Sequence, residues 1–212
     1  MPTEQKRFWS SVWIVLLFLA VMWVVFLFQE LAGTDFTFLA NAPHRIEGLK
    51  GIFFSPFIHG SWEHIMSNTL PFMVLLTVVI NAYPKASFWV LLTVWLGSGT
   101  AVWLLGVEGS RHIGMSGVIY GLAFFLLGSA LFTRHRVPVL IAVFVVVLYG
   151  TMAEGFLPKQ GISWQSHLYG ALCGVAAAFL FGRMDREYLP VNTVPEKDKR
   201  FFEEVGNSQL PR

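Results

Sequence analysis

Gly114-Met115-Ser116-Gly117-Val118-Ile119-Tyr120-Gly121 opens an uncharged run over residues 113–132. That run is long enough to cross a bilayer, which takes roughly 20 residues as a helix. A serine flanked by glycines in such a helix has two readings. Small residues let neighbouring backbones approach closely. Alternatively, the hydroxyl is a nucleophile with room beside it for a peptide. The choice depends on which other polar side chains share its depth.

Composition decides the environment. The chain has 212 residues, 55% of them hydrophobic and 13% charged. A soluble domain carries roughly 25% charged residues, so an integral membrane protein is expected. A formal net charge of +2 is too small to point to nucleic acid. The single cysteine, Cys173, rules out an internal disulfide or a multi-cysteine metal site and reads as a packed thiol. The first apolar run is too long for the hydrophobic part of a cleavable signal, and no small-residue cleavage pattern follows it.

Six uncharged runs stand out, at residues 8–28, 65–83, 86–107, 113–132, 137–153 and 164–182. The fold expected is an all-α membrane protein, six transmembrane helices in a compact bundle with a long first outer loop. Open backbone cannot face lipid, so the spans are helices and not strands. The fifth run is short and would stand nearly upright or thin the bilayer. The connection over residues 29–64 is long and carries the apolar stretch Gly51-Ile-Phe-Phe-Ser-Pro-Phe-Ile58. It is expected to fold back onto the membrane surface. Lys6, Arg7, Lys85, Arg134, Arg136, Arg183 and Arg186 fall on one side, and Arg45, Lys50, Arg111 and Lys159 on the other. The first set sits in shorter segments, which puts both termini in the cytoplasm. Residues 1–184 form the membrane domain, and 185–212 read as a polar, flexible cytoplasmic tail.

With that topology Ser116, His64, Asn68 and His167 all lie a few residues below the outer face. Polar groups inside a membrane are expensive and default to a functional reading. A serine hydroxyl needs a neighbouring base, and histidine titrates near neutrality. His167 is the only histidine in the last three runs. Gly170 and Gly174 follow it on the same helix face, and Gly114, Gly117 and Gly121 line one side of the fourth run. Two glycine-faced helices can approach closely enough for a Ser–His hydrogen bond. Tyr120, one turn below Ser116, could pack on the imidazole. His64 and Asn68, four apart, share a face and could donate toward an oxyanion beside the Ser116 N–H, a contribution of roughly 3–4 kcal/mol per donor. The plainer alternative is a helix-start cluster in which Ser61 and Glu63 cap the helix and His64 and Asn68 satisfy each other. His59 reads as a brace for the outer loop.

A metal site fits poorly. His59, His64, His112 and His167 could converge, but there is no His-Glu-x-x-His and no carboxylate within the runs to support a ligand. Nor is Gly-x-Ser-x-Gly present, since Val118 takes the last glycine position and no strand precedes the serine. The chemistry read from these residues is a Ser–His dyad, a reduced form of triad logic.

At this point the chain resembles the rhomboid family of intramembrane serine proteases, in its bacterial six-helix form. His64-x-x-x-Asn68, Gly114-x-Ser116-Gly117-x-x-Tyr120 and His167-x-x-Gly170-x-x-x-Gly174 are similar to that family's second, fourth and sixth helix motifs. Phe57-Ile-His59-Gly-Ser-Trp-Glu-His64 is similar to its approach to the second helix. The resemblance implies Ser116 as nucleophile, His167 as general base and acid, and His64, Asn68 and Gly117 as oxyanion support. It implies Tyr120 stacked on His167, no cofactor and no metal. Substrates would be transmembrane helices with small or helix-breaking residues near the outer surface, cut in a bacterial inner membrane, and residues 154–163 would cap the site. The family's Trp-Arg pair in the first loop is missing here; His44-Arg45 stands in that region. The alternative is a catalytically inactive rhomboid-like protein that binds transmembrane clients. A transporter would predict paired broken helices in matching halves, and no repeat is present.

Overall fold

A computed structural model of the protein describes residues 4–133, 140, 142–144, 147, 155–158 and 163–185. Among these residues the chain is helical and has no β-sheet; its one bridge pairs Asn41 with His112. The long helices are α1 (Glu4–Ala32), α3 (Trp62–Ala82), α6 (Ser116–Thr133) and α7 (Trp164–Phe181), with α2 (Gly51–Phe54), α4 (Ser87–Leu92) and α5 (Ser98–Leu105) between them. Glu4–Ala32, Trp62–Ala82 and the continuous stretch Ser87–Leu105 are each long and apolar enough to cross a membrane. The expected fifth run, 137–153, lies outside the described residues apart from positions 140, 142–144 and 147, and so does the tail beyond Asp185.

α1 buries a single stripe, Ser11, Val15, Leu19, Met22, Phe26 and Gln29, at the three- and four-residue spacing of one helix face. Its other face is apolar and outward: Trp13, Leu17 and Val24 are 65–69% exposed. In water such a surface would drive aggregation; in lipid it is the ordinary exterior. The buried stripe meets α3. Three polar bonds cross that interface, Trp23 Nε1 to Thr69 Oγ1 at 3.1 Å, Asn81 Nδ2 to Ser11 Oγ at 2.7 Å and Trp62 Nε1 to Glu30 Oε2 at 3.0 Å. Trp62 packs edge-on against Phe26 at 4.9 Å between ring centres. Ser61 caps α3, accepting from the His64 N–H at 3.1 Å.

The third expected span is not one regular helix. Between α4 and α5 the residues Thr93–Gly97 form a π-helical turn, which widens the helix by one residue per turn. The turn sets Val94 against Gly121 of α6 and Gly97 against Cys173 of α7. The Ser98 hydroxyl donates to the Val94 carbonyl at 2.5 Å, capping a group the wider turn displaces.

The fourth expected span also starts later than its apolar run. Gly114 has φ +99°, outside the helical region, so α6 begins at Ser116. Gly114 therefore lies in the preceding turn and is not one of the glycines along the helix side. Gly117 and Gly121 remain on it.

The first loop packs against the π-turn and α5. Trp95 Nε1 donates to the Phe53 carbonyl at 3.0 Å, Asn41 Nδ2 to Gly99 O at 2.7 Å, and the His44 N–H to Trp103 O at 3.0 Å. At the opposite end of the bundle, both oxygens of Asp185 accept from the main-chain N–H groups of Lys85 and Ala86, each at 2.9 Å. Asp185, the first residue of the expected tail, is fully buried.

Candidate active site

Among the described residues α6 and α7 are the most extensively packed helix pair, and at their paired glycines the contact is backbone against backbone. A Cβ on Gly170 would overlap the Gly117 carbonyl, and one on Gly174 would overlap the Gly121 carbonyl. On the other side of the contact, Gly117 lies under Ser166, where a Cβ would stand 3.2 Å from the Ser166 carbonyl oxygen. Small residues at this spacing let the helix axes come closer than side chains permit. The consequence is chemical: Ser116, beside Gly117, and His167, one turn before Gly170, are brought within bonding range.

His167 Nε2 is 2.8 Å from Ser116 Oγ, and His167 Nδ1 is 2.7 Å from the Gly155 carbonyl oxygen. A carbonyl can only accept, so Nδ1 carries the proton and donates it. Nε2 then presents its lone pair, and the serine hydroxyl donates to it. This is the tautomer a general base requires. Tyr120 stacks on the imidazole, with ring centres 4.3 Å apart and planes within 5°. Phe156 meets Tyr120 edge-on at 5.0 Å. The imidazole is thereby fixed by a main-chain acceptor on one edge and a ring on one face. It is 7% exposed, while Ser116 is only partly buried.

Gly155 is the functional position that sequence reasoning missed. Its contribution is a carbonyl, which every residue has, so no residue type announces it. The glycine itself is required, because a Cβ would overlap the Tyr120 hydroxyl and stand 2.8 Å from His167 Nδ1. Of the expected cap 154–163, the described residues are Gly155–Pro158 and Ser163.

His64 and Asn68 reach the same place from α3. A Cβ on Gly114 would overlap His64 Nε2 and lie 3.6 Å from Asn68 Nδ2. The imidazole and amide thus face the turn leading into Ser116, in space left by a glycine whose positive φ no other residue adopts easily. Asn68 Nδ2 donates to the His64 carbonyl at 3.0 Å, so the helix-start cluster exists and is also aimed at the serine turn. The Ile119 N–H bonds the Met115 carbonyl at 3.1 Å. The N–H groups of Ser116 and Gly117 precede that first helical bond and sit at the positive end of the helix dipole.

His59 lies behind this group. Its ring meets that of His64 edge-on at 4.9 Å, and its Nε2 accepts from the Met115 N–H at 3.5 Å. Gln29 Nε2 donates to its carbonyl at 3.2 Å. Burial, then the neighbouring His64, pushes its pKa down to about 3, so it stands neutral as a brace between α1, the first loop and the serine turn. Among the described residues, no three His, Cys, Asp or Glu side chains are grouped as a metal ion would need.

Comparison with known proteins supplies the family. The model of the Rhomboid domain matches residues 47–184, which contain every site residue named above. An uncharacterized protein of Mycobacterium tuberculosis is 34% identical over 194 residues, covering 87% of this chain and 81% of that protein. Another, from Mycobacterium leprae, is 34% identical over 201 residues, covering 91% of this chain and 75% of that one. The match runs from within the first loop through the serine turn and the histidine helix, and so the chain belongs to the rhomboid family of integral membrane proteins.

Proposed function

We propose that this protein is a serine endopeptidase that cleaves transmembrane helices within the bilayer, near its outer face. The observation that carries the proposal is the 2.8 Å Ser116–His167 hydrogen bond, with the imidazole oriented by Gly155. In this reading six spans cross a bacterial inner membrane with both termini cytoplasmic. Residues 1–184 form the protease domain and 185–212 a polar cytoplasmic tail, whose first residue, Asp185, is bound to the turn before α4.

Ser116 Oγ attacks the carbonyl carbon of a substrate segment that has unwound from its helix, as His167 Nε2 takes the hydroxyl proton. The negative charge moves to the substrate oxygen, where the Ser116 and Gly117 N–H groups, His64 and Asn68 donate to it. The C–N bond breaks as His167 returns the proton to the departing amine. Water then attacks the acyl ester, His167 takes its proton, and the second product leaves with Ser116 restored. Every step uses side chains and backbone of this chain plus water. Among general acid–base groups a positioned histidine contributes typically about 10²–10⁴-fold.

A fluorophosphonate probe on the purified protein in detergent tests the assignment. Wild type should label at Ser116, while Ser116→Ala and His167→Asn should not label and should not cleave a transmembrane substrate, with unchanged thermal unfolding. Cleavage by Ser116→Ala at the wild-type rate would overturn the proposal. A wild-type protein that neither labels nor cleaves would favour a client-binding rhomboid.

A further inference from the structure

A cleft lies between the first loop and Gly109–Arg111, and neither Ser116 nor His167 lines it. It is a cavity of about 280 Å³ whose lining includes Arg45, Lys50, Arg111, Glu47, Ser110 and Phe38. That is just below the usual size of ligand sites, roughly 300–1,000 Å³, and suits a compact polar group. Three cations and one carboxylate line it, and Asp35 beside it also feels the charge of Arg111. The Arg45–Glu47 pair is 3.6 Å apart and both side chains are more than half exposed, so it holds Arg45 weakly. Lys50 Nζ stands 5.0 Å over the Phe38 ring. Arg111 reaches Thr37 through one terminal nitrogen, with long contacts of 3.4 and 3.5 Å. Asp35, the other nearby acid, is engaged by the Thr37 hydroxyl at 2.6 Å and the Thr37 N–H at 3.1 Å.

The cleft is also held in shape. Trp103 Nε1 donates to the Arg45 carbonyl at 2.8 Å, which ties one wall to α5. The Asn41–His112 main-chain pair, at 3.0 and 2.9 Å, joins the two walls. The same segment exposes Ile46 at 83%, Leu49 at 43%, Phe53 at 48% and Phe54 at 44%. Exposed apolar side chains beside clustered cations are the signature of an element lying in the membrane interface, with cations at headgroup level.

We propose that this cleft binds the phosphate of an anionic phospholipid headgroup. The guanidinium groups of Arg45 and Arg111 take phosphate oxygens through paired N–H donors, Lys50 supplies a point charge, and the acyl chains run beside the exposed apolar residues. Arg111 lies five positions before Ser116, and its neighbour His112 is bridged to Asn41. An occupied cleft therefore steadies the first loop against the turn that leads into α6.

The test uses the purified full chain in neutral detergent, with its thermal unfolding midpoint titrated by phosphatidylglycerol, phosphatidylcholine or inorganic phosphate. A ligand that binds the folded state raises the midpoint in a saturable way. Phosphatidylglycerol should do so, less strongly as salt rises, and phosphatidylcholine should not. In Lys50→Gln/Arg111→Gln, saturation should need about tenfold more phosphatidylglycerol, the loss expected for charge-assisted bonds. Glu47→Gln, which removes the cleft's acid, should shift saturation to lower concentration, a change of sign that a folding defect does not produce. Equal responses to the two lipids would overturn the proposal. So would identical responses in wild type and both variants. Saturation by inorganic phosphate at the lipid's concentration would assign the cleft to free phosphate and overturn the lipid.

Discussion

Replacing Gly170 with alanine adds one methyl group where α7 crosses α6. The new Cβ would stand 2.9 Å from the Gly117 carbonyl carbon and 3.2 Å from its Cα, besides overlapping the carbonyl oxygen. Ordinary contact for a Cβ starts at 3.4 Å, so the helices must part by about 0.5 Å on the carbon (3.4 against 2.9 Å) and by more at the oxygen. Nothing flexible is available to yield, because both partners are main chain. His167 sits one turn from the wedge and Ser116 next to its target, so the 2.8 Å bond between them opens toward or beyond the 3.2 Å limit of a good hydrogen bond. Overpacking of this kind costs about 1–3 kcal/mol, against which alanine's better helix propensity returns at most about 1 kcal/mol. The net change is destabilising, and a misplacement approaching 1 Å at the chemistry costs up to about 10²-fold in rate. The assay is the initial cleavage rate of a transmembrane substrate in proteoliposomes, paired with thermal unfolding in detergent. Gly60→Ala is the matched control, since its Cβ would meet only Ile113 Cδ1, at 3.6 Å. A Gly170→Ala protein with the wild-type rate and midpoint would refute the claim that backbone contact sets the Ser–His distance.

Three further outcomes are expected. Tyr120→Phe keeps the ring stacked on His167 and should cost no more than about threefold in cleavage rate, whereas Tyr120→Leu should cost about tenfold, the upper end of an aromatic pair's contribution; equal rates in the two variants would remove the stacking role. Burial pushes the loop histidine His112 from the ordinary 6.5 down to about 4, so between those values the unfolded chain binds a proton that the folded one refuses. Stability is then full above about pH 6.5 and falls as pH drops toward 4; unfolding midpoints measured across that range should decline, and less steeply in His112→Gln. Asp185→Ala removes two charge-assisted bonds at 2.9 Å from the turn before α4 and should cost about 2–3 kcal/mol of stability, read by thermal unfolding. An unchanged midpoint would mean other contacts hold that turn.

Much of this arrangement was legible in the residues because the bilayer simplifies the problem. Every uncharged run except the fifth falls on helix among the described residues, and the polar groups left inside them were few enough to name: His64, Asn68, Ser116 and His167 lie around one turn. The spacing of Gly170 and Gly174 gave the face on which α7 meets α6. What was not legible depends on backbone. The π-turn at Thr93–Gly97 leaves no mark on an apolar run, since valine and tryptophan serve equally in α and π geometry. Gly114 was read as a helical glycine because its identity shows only conformational freedom, and the positive φ that uses this freedom is set by packing against His64. The third partner of the histidine escaped for the same reason: side chains can be searched for in a sequence, and carbonyls cannot.

That third partner has a wider meaning. A carboxylate opposite His167 would have to be carried into a medium where an unpaired charge is very costly, and it would gain or lose a proton as conditions changed. A peptide oxygen does neither. It holds the ring with a dipole and offers the imidazolium less electrostatic support than an ion would. A histidine held this way gains an orienting group that no acid can neutralise, at the expense of support for its charged form.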